Sequence, residues 1–285
     1  MWPSGRIGQD VEASTVTAGS ANWTTGVCEA NGIDIHYLRT GGAKPPLVLL
    51  HGLLGNGACW TPVARVLEGE YDVVMPDARG HGKSSSPLHG YRYDDHARDV
   101  SGLIRSLGLA APIVLGHSMG GMTAAVVASQ IGEVIRGVVL VDPTFLSPER
   151  QREVCDSDVA EQHRRLLSLD EGELGAQLRA RHTRRSSEIV ELLIAARIQT
   201  RMSAFDVLTP PNPAYRRLVC TIGVPILLVI GDDPVVSLET ARELQSLNPR
   251  VRLEQIQGAG HGVPFDQPER LAAVVRSFIR SVAAP

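Results

Sequence analysis

Two kinds of apolar pattern alternate along the chain. The first is a short, largely apolar run: PLVLLHG (46–52), YDVVMPD (71–77), PIVLG (112–116), VIRGVVLVD (134–142) and VPILLVIG (224–231), with VRLEQI (251–256) a further, more polar strand. Runs of this length, bounded by glycine, proline or aspartate, predict strands buried on both faces. The second kind has apolar residues at spacings of three and four, over 60–68, 94–107, about 119–130, 237–247 and 267–281. These predict helices, with Asp94 the expected N-cap of the second. The segments VCEA (27–30) and IDIHYLR (33–39), joined by Asn31-Gly32, predict an opening hairpin. Strand–helix alternation of this kind predicts an α/β fold, a mostly parallel central sheet flanked by helices.

The rhythm breaks after Pro143. Residues 148–220 carry 12 arginines and 11 acidic residues, show helical patterns such as SSEIVELLIAARIQTRM, and contain no strand-like run. They predict a helical cap inserted between two neighbouring strands, dividing the core into 26–147 and 221–285. Residues 1–25 are polar and small and read as a disordered leader.

Composition narrows the function classes. The chain has 285 residues, 43% of them hydrophobic, and a formal net charge of −3 with no basic block, so nothing points to nucleic acid. No apolar run approaches the roughly 20 residues of a membrane span. Cys28, Cys59, Cys155 and Cys220 lie too far apart for metal-ligand spacing, and the expected setting is a reducing cytoplasm. The expected partner is a small-molecule substrate, with no cofactor and no metal. The sequence leaves the oligomeric state open.

The chemistry concentrates in IVLGHSMGGM (113–122), where Gly116-His117-Ser118-Met119-Gly120 joins a predicted strand to a predicted helix. G-x-S-x-G in that context is a nucleophile elbow: the sharp turn lifts the serine hydroxyl to the carboxyl end of the sheet, and the glycines let backbone approach backbone. A serine hydroxyl needs a base. Of nine histidines, His261 follows the last strand on a glycine-rich loop at the same sheet edge. His117 adjoins the serine but is expected to point away from it. Gly82-Lys83-Ser84 lacks the first glycine of a phosphate loop. Asp94-Asp95-His96 reads as a helix start, and the arginines at 179, 181, 184 and 185 read as a solvated helix face in preference to a contact for an acidic substrate.

HGLLG (51–55), PDARGHGKSS (76–85), GHSMGG (116–121), LVDP (140–143), GDDPVV (231–236) and GAGHG (258–262), in this order, resemble the α/β-hydrolase superfamily over residues 27–285. The resemblance implies Ser118 as nucleophile, His261 as base, and an oxyanion hole from the backbone N–H groups of Leu53 and Met119. It leaves two places for the acid. One is the loop after strand 224–231, which offers Asp233, with Asp232 behind it, on a loop one residue short. The other is the end of the preceding strand, Asp142, the location that resembles hydrolases of ring-opened pyridine catabolites. Asp142 is preferred because the shortened loop cannot present a carboxylate at the usual position. The substrate pocket is expected from Leu53, Leu54 and Trp60 on the core side and from Leu193, Ile194, Ile198, Met202 and Phe205 on the cap. The implied reaction is cofactor-free hydrolysis of an ester, lactone or thioester through an acyl-enzyme, with amide or C–C cleavage as an alternative. A lyase, cyclase or acyltransferase on the same scaffold is a rival, and a hydrolase-fold receptor is disfavoured by the intact Ser118 and His261.

Overall fold

A computed structural model describes residues 23–283. Strands β1 (Thr24–Ala30) and β2 (Ile33–Arg39) form the opening hairpin, followed by β3 (Pro46–Leu50), a 3-10 turn (Gly57–Trp60), α1 (Thr61–Leu67) and β4 (Asp72–Pro76). Then come α2 (Tyr93–Ser106), β5 (Ile113–His117), α3 (Met119–Gln130) and β6 (Gly137–Val141). The insertion contributes α4 (Pro148–Cys155), α5 (Val159–Leu167), α6 (Glu171–Arg181), α7 (Ser187–Ile198), a 3-10 segment (Met202–Leu208) and α8 (Tyr215–Thr221). The chain closes with β7 (Ile226–Ile230), α9 (Leu238–Leu247), β8 (Val251–Gln255), α10 (Val263–Asp266) and α11 (Pro268–Ala283).

The eight strands form one sheet in the order β1-β2-β4-β3-β5-β6-β7-β8. Pairing is antiparallel at β1/β2 and β2/β4 and parallel everywhere else. The continuous apolar runs follow from this architecture. Val48, Leu50, Val114, Val138, Leu140, Ile226 and Leu228 pack with α2, α3, α8 and α9 on one face. Their sequence neighbours Leu47, Leu49, Ile113, Leu115, Val139, Val141, Leu227 and Val229 pack with α1 and α11 on the other. A strand covered on both faces has no polar side to show.

Three details differ from the sequence expectation. Of the leader expected over 1–25, residues 1–22 lie outside the described residues, while Thr24 and Thr25 pair with Arg39 and Leu38 in β1. Helix α2 is capped at Arg92, whose N–H is accepted by the Asp95 carboxylate at 3.0 Å, so Asp94 stands inside the first turn. The expected boundary at 220 falls within α8, whose Tyr215 and Val219 belong to the core cluster. The remainder of the insertion has a cluster of its own, Leu166, Leu174, Leu178, Val190 and Ile194. Among the described residues no helix is long and apolar enough to cross a membrane.

Candidate active site

Ser118 follows β5 and caps the N-terminus of α3, with φ 55 and ψ −118. This left-handed backbone is costly for any residue with a Cβ and persists only when its surroundings over-determine it. Three hydrogen bonds do so: Ser118 N–H donates to Val141 C=O at 3.1 Å, and Ser118 C=O accepts from Gly121 N–H at 2.9 Å and Thr144 N–H at 3.2 Å. The flanking glycines are sterically required. A Cβ on Gly116 would stand 1.9 Å from the Gly120 carbonyl oxygen, and one on Gly120 2.3 Å from that of Leu50.

His261, between β8 and α10, joins two other elements. Its Nε2 lies 3.0 Å from Ser118 Oγ and its Nδ1 2.5 Å from Asp142 Oδ2. Asp142 follows β6, has φ 39, and is fully buried. A buried carboxylate requires donors, and Asp142 has three. Besides His261 Nδ1–H, the backbone N–H groups of Val235 and Val236 donate to Oδ2 and Oδ1, both at 2.9 Å. With Nδ1–H given to Asp142, Nε2 is left as an acceptor for the serine hydroxyl.

Asp233 is therefore corrected as a triad acid. Its side chain is exposed and lines a different cavity, beside Arg150 and Asn212. Asp232 accepts from Gly258 N–H at 2.6 Å. The short loop after β7 meets Asp142 with its main chain, so backbone amides at 235 and 236 occupy the place where a longer loop would present a carboxylate.

Two further histidines support this geometry. His117 packs against His261: its ring centroid is 4.8 Å from that of His261, and its Nε2–H donates to the His261 carbonyl at 2.8 Å. Burial, then the neighbouring His261, pushes the His117 pKa down to about 3. His51 accepts the Ala78 N–H at Nε2 (2.9 Å) and donates from Nδ1 to its neighbour Gly52 C=O at 2.8 Å. Burial lowers its pKa as well, in keeping with a neutral imidazole that clamps the 51–55 loop. A Cβ on Gly52 would stand 3.1 Å from Ser118 Cβ, so this loop lies against Ser118 and brings Leu53 to the same cavity. Met119 is the first residue of α3, where backbone N–H groups have no intrahelical partner.

The cavity over Ser118 has a volume of about 410 Å³, within the roughly 300–1,000 Å³ of small-molecule sites. The core supplies Leu53, Leu54, His117, Ser118, His261 and Phe265; the insertion supplies Leu178, His182, Arg185, Leu193, Ile194 and Arg197. Four expected pocket residues are elsewhere. Trp60 is 2% exposed and packs in the core layer with Val63 and Leu67, because the 3-10 turn before α1 swings it under the sheet. Ile198 is 43% exposed at the end of α7. Met202 starts the 3-10 segment and does not line the cavity. Phe205 is buried against His163, 5.2 Å between ring centroids. Arg185, read from sequence as part of a solvated face, faces the cavity; Arg179 is exposed and paired with Glu191 at 2.8 Å.

Residues 45–268 match the family model described as alpha/beta hydrolase fold, and the chain belongs to that family. It is 30% identical to N-formylmaleamate deformylase of Pseudomonas putida over 89% of this chain and 96% of the relative. It is 26% identical to 2-(acetamidomethylene)succinate hydrolase of Mesorhizobium japonicum over 85% of this chain and 90% of the relative. Among solved structures, E-2-(acetamidomethylene)succinate hydrolase superposes with a TM-score of 0.79 at 23% identity, covering 90% of this chain and 99% of that one. The enol-lactonase of Burkholderia xenovorans superposes with a TM-score of 0.75 at 24% identity, covering 90% and 100%. At these identities the superpositions show the shared fold. The protein is a hydrolase of this family.

Proposed function

We propose that the protein hydrolyses a small acyl compound through an acyl-enzyme on Ser118, with His261 as base, Asp142 as the acid that orients it, and the N–H groups of Leu53 and Met119 as the oxyanion hole. The observation that carries the reading is the unbroken hydrogen-bonded line from Asp142 through His261 to Ser118, 2.5 and 3.0 Å long at its two steps.

In this mechanism Ser118 Oγ attacks the carbonyl carbon while His261 Nε2 takes its proton, and the carbonyl π pair moves to oxygen. Donors fixed before the reaction starts stabilise that charge without reorganising. The tetrahedral adduct collapses, the leaving group departs with the proton from His261, and the acyl group remains on Ser118. Water then attacks the acyl carbon, giving its proton to His261; the acid leaves and the proton returns to Ser118 Oγ. Asp142 holds the imidazole in the required tautomer and stabilises the imidazolium formed in each half.

Residues 148–220 act in this account as a cap that selects the substrate. Several bonds seat them over the sheet edge: Asn56 Nδ2 to Gln199 Oε1 at 3.0 Å, Arg201 N–H to Gly80 C=O at 2.8 Å, and Arg185 to Asp266 at 2.8 Å. Esters, lactones and thioesters are the first substrate class. Cleavage of an N-acyl bond is the second, favoured by the deformylase and the acetamidomethylene hydrolase among the relatives. The exposed thiols of Cys155 and Cys220 fit a reducing cytoplasm, where such groups stay free. The test is a fluorophosphonate label located by peptide mass spectrometry, together with a panel of acyl esters. Labelling confined to Ser118 and ester turnover are expected; turnover without labelling would overturn the reading.

A further inference from the structure

The charged groups lining the Ser118 cavity do not balance. They comprise two guanidinium cations, Arg185 and Arg197, and one carboxylate, Asp266, beside the imidazoles of His117, His182 and His261. Arg185 is matched. Its Nε donates to Asp266 Oδ1 at 2.8 Å, its guanidinium stands 5.2 Å over the Phe265 ring, and its Nη1 is 3.4 Å from His182 Nδ1. His182 is held below its usual pKa by burial and then by Arg185, so it adds no lasting charge.

Arg197, near the end of α7, has no such match. Among the described residues it makes no ion pair, and its Nε is buried without a hydrogen-bond partner. The charge that acts on it is a further cation, Arg181, which adds to burial in lowering its pKa. A guanidinium does not escape such a position by losing its proton. A charge partly removed from water and left without a partner is costly, and an arriving anion relieves that cost. Arg179 provides the contrast on the neighbouring helix: exposed, and paired with Glu191. An arginine serving only a solvated helix face would look like Arg179.

We infer that Arg197 reads a carboxylate, and that the substrate is a small acyl compound with one anionic group reaching the α7 side of the cavity. A carboxylate suits the flat guanidinium fork, which can give it two parallel N–H donors. The inference rests on the acyl-hydrolase reading of Ser118 and adds the substrate's charge to it.

The test uses esters matched in length. The 4-nitrophenyl ester of butyrate is compared with the 4-nitrophenyl half-ester of succinate, which carries a carboxylate on the acyl chain. Phenyl butyrate is compared with the butyrate ester of 4-hydroxybenzoate, which carries it on the leaving group. In the full chain, kcat/KM for one anionic member is expected to exceed its neutral partner by about 10- to 100-fold, the range of a hydrogen bond to a charged group. Arg197→Gln should erase that ratio mainly through KM, Arg197→Lys should retain part of it, and Arg179→Gln should leave it unchanged. Arg197→Lys also guards against loss of fold in the glutamine variant. Equal or inverted preference in the wild type, or a ratio unaltered by Arg197→Gln, would overturn the inference. Fluorophosphonate labelling of Ser118 separates the two levels. Labelled enzyme without a charge preference removes Arg197 from recognition and leaves the serine hydrolase standing; enzyme that resists labelling overturns both.

Discussion

The sheet edge and the helical insertion are built by opposite means. At the sheet edge the groups proposed to react are set by main-chain bonds. Ser118 and Asp142 each donate their N–H to the neighbouring strand, to Val141 at 3.1 Å and Val229 at 2.8 Å. The Asp142 carboxylate is gripped by two further amides, and the His261 carbonyl is tied to His117 at 2.8 Å. The insertion has a small apolar cluster and a surface of ion pairs such as Arg150–Glu153, Arg164–Glu161 and Arg179–Glu191. Exposed pairs of this kind contribute about 0–1 kcal/mol each. The difference teaches where each property resides. Positions fixed by backbone serve chemistry that tolerates little displacement, while side chains on a lightly held layer are free to vary with the substrate.

The largest expected effect is at Ser118, the proposed nucleophile. Ser118→Ala is expected to lower kcat by about 10⁶-fold with the fold intact, the loss typical of removing a triad nucleophile; steady-state kinetics and circular dichroism on the same sample check both parts. Next is the acid. Asp142→Asn leaves His261 in the wrong tautomer and should reduce kcat by up to about 10⁴-fold. Asp233→Asn, on the exposed loop, should be nearly silent, and the reverse order would move the acid to the β7 loop.

The core also stores a pH response. Burial is the first cause that pushes both His96 and His117 down to about 3 from the ordinary 6.5, so both are neutral in the folded chain. Between those values only the unfolded chain takes up these protons. Stability is therefore whole above pH 6.5 and falls as pH drops toward 3, by about 1.4 kcal/mol per pH unit for each histidine. Urea midpoints measured at descending pH should fall, and His96→Phe should flatten the slope; an unchanged midpoint below pH 6 would contradict the buried neutral state. The smallest effects belong to the insertion. Leu193→Ala, at the cavity wall, should change the kcat/KM ratio of long to short acyl esters by about tenfold. Ile198→Ala, exposed on the same helix, should leave that ratio alone.

What could be read from the sequence follows the same division. Strands covered on both faces leave an unmistakable apolar run, and an elbow needing close backbone contact leaves glycines at 116 and 120, so the sheet and Ser118 were legible. Asp142 was legible as the end of a strand, but its support was not. The amides of Val235 and Val236 carry no side-chain signal, and their only trace is a loop one residue short. The bond that ties His117 to His261 was not legible because its partner is a carbonyl 144 residues away. Helical periodicity located α7 but not its inner face: Leu193 and Ile194 line the cavity while Ile198, four residues on, is exposed. A helix's orientation depends on what it packs against, which its own sequence does not contain. Arg185 and Arg197 were hidden for the same reason, being two among 12 arginines of the insertion.

In the proposed mechanism turnover passes through an acyl group on Ser118 that water removes. Rapid-quench mass spectrometry with 4-nitrophenyl acetate in water enriched in heavy oxygen tests it in one measurement. The expected result is an acetyl adduct on the Ser118 peptide that forms in the burst and decays at the turnover rate, with one heavy oxygen in the released acetate. Turnover with no adduct on Ser118, or acetate free of solvent oxygen, would contradict it.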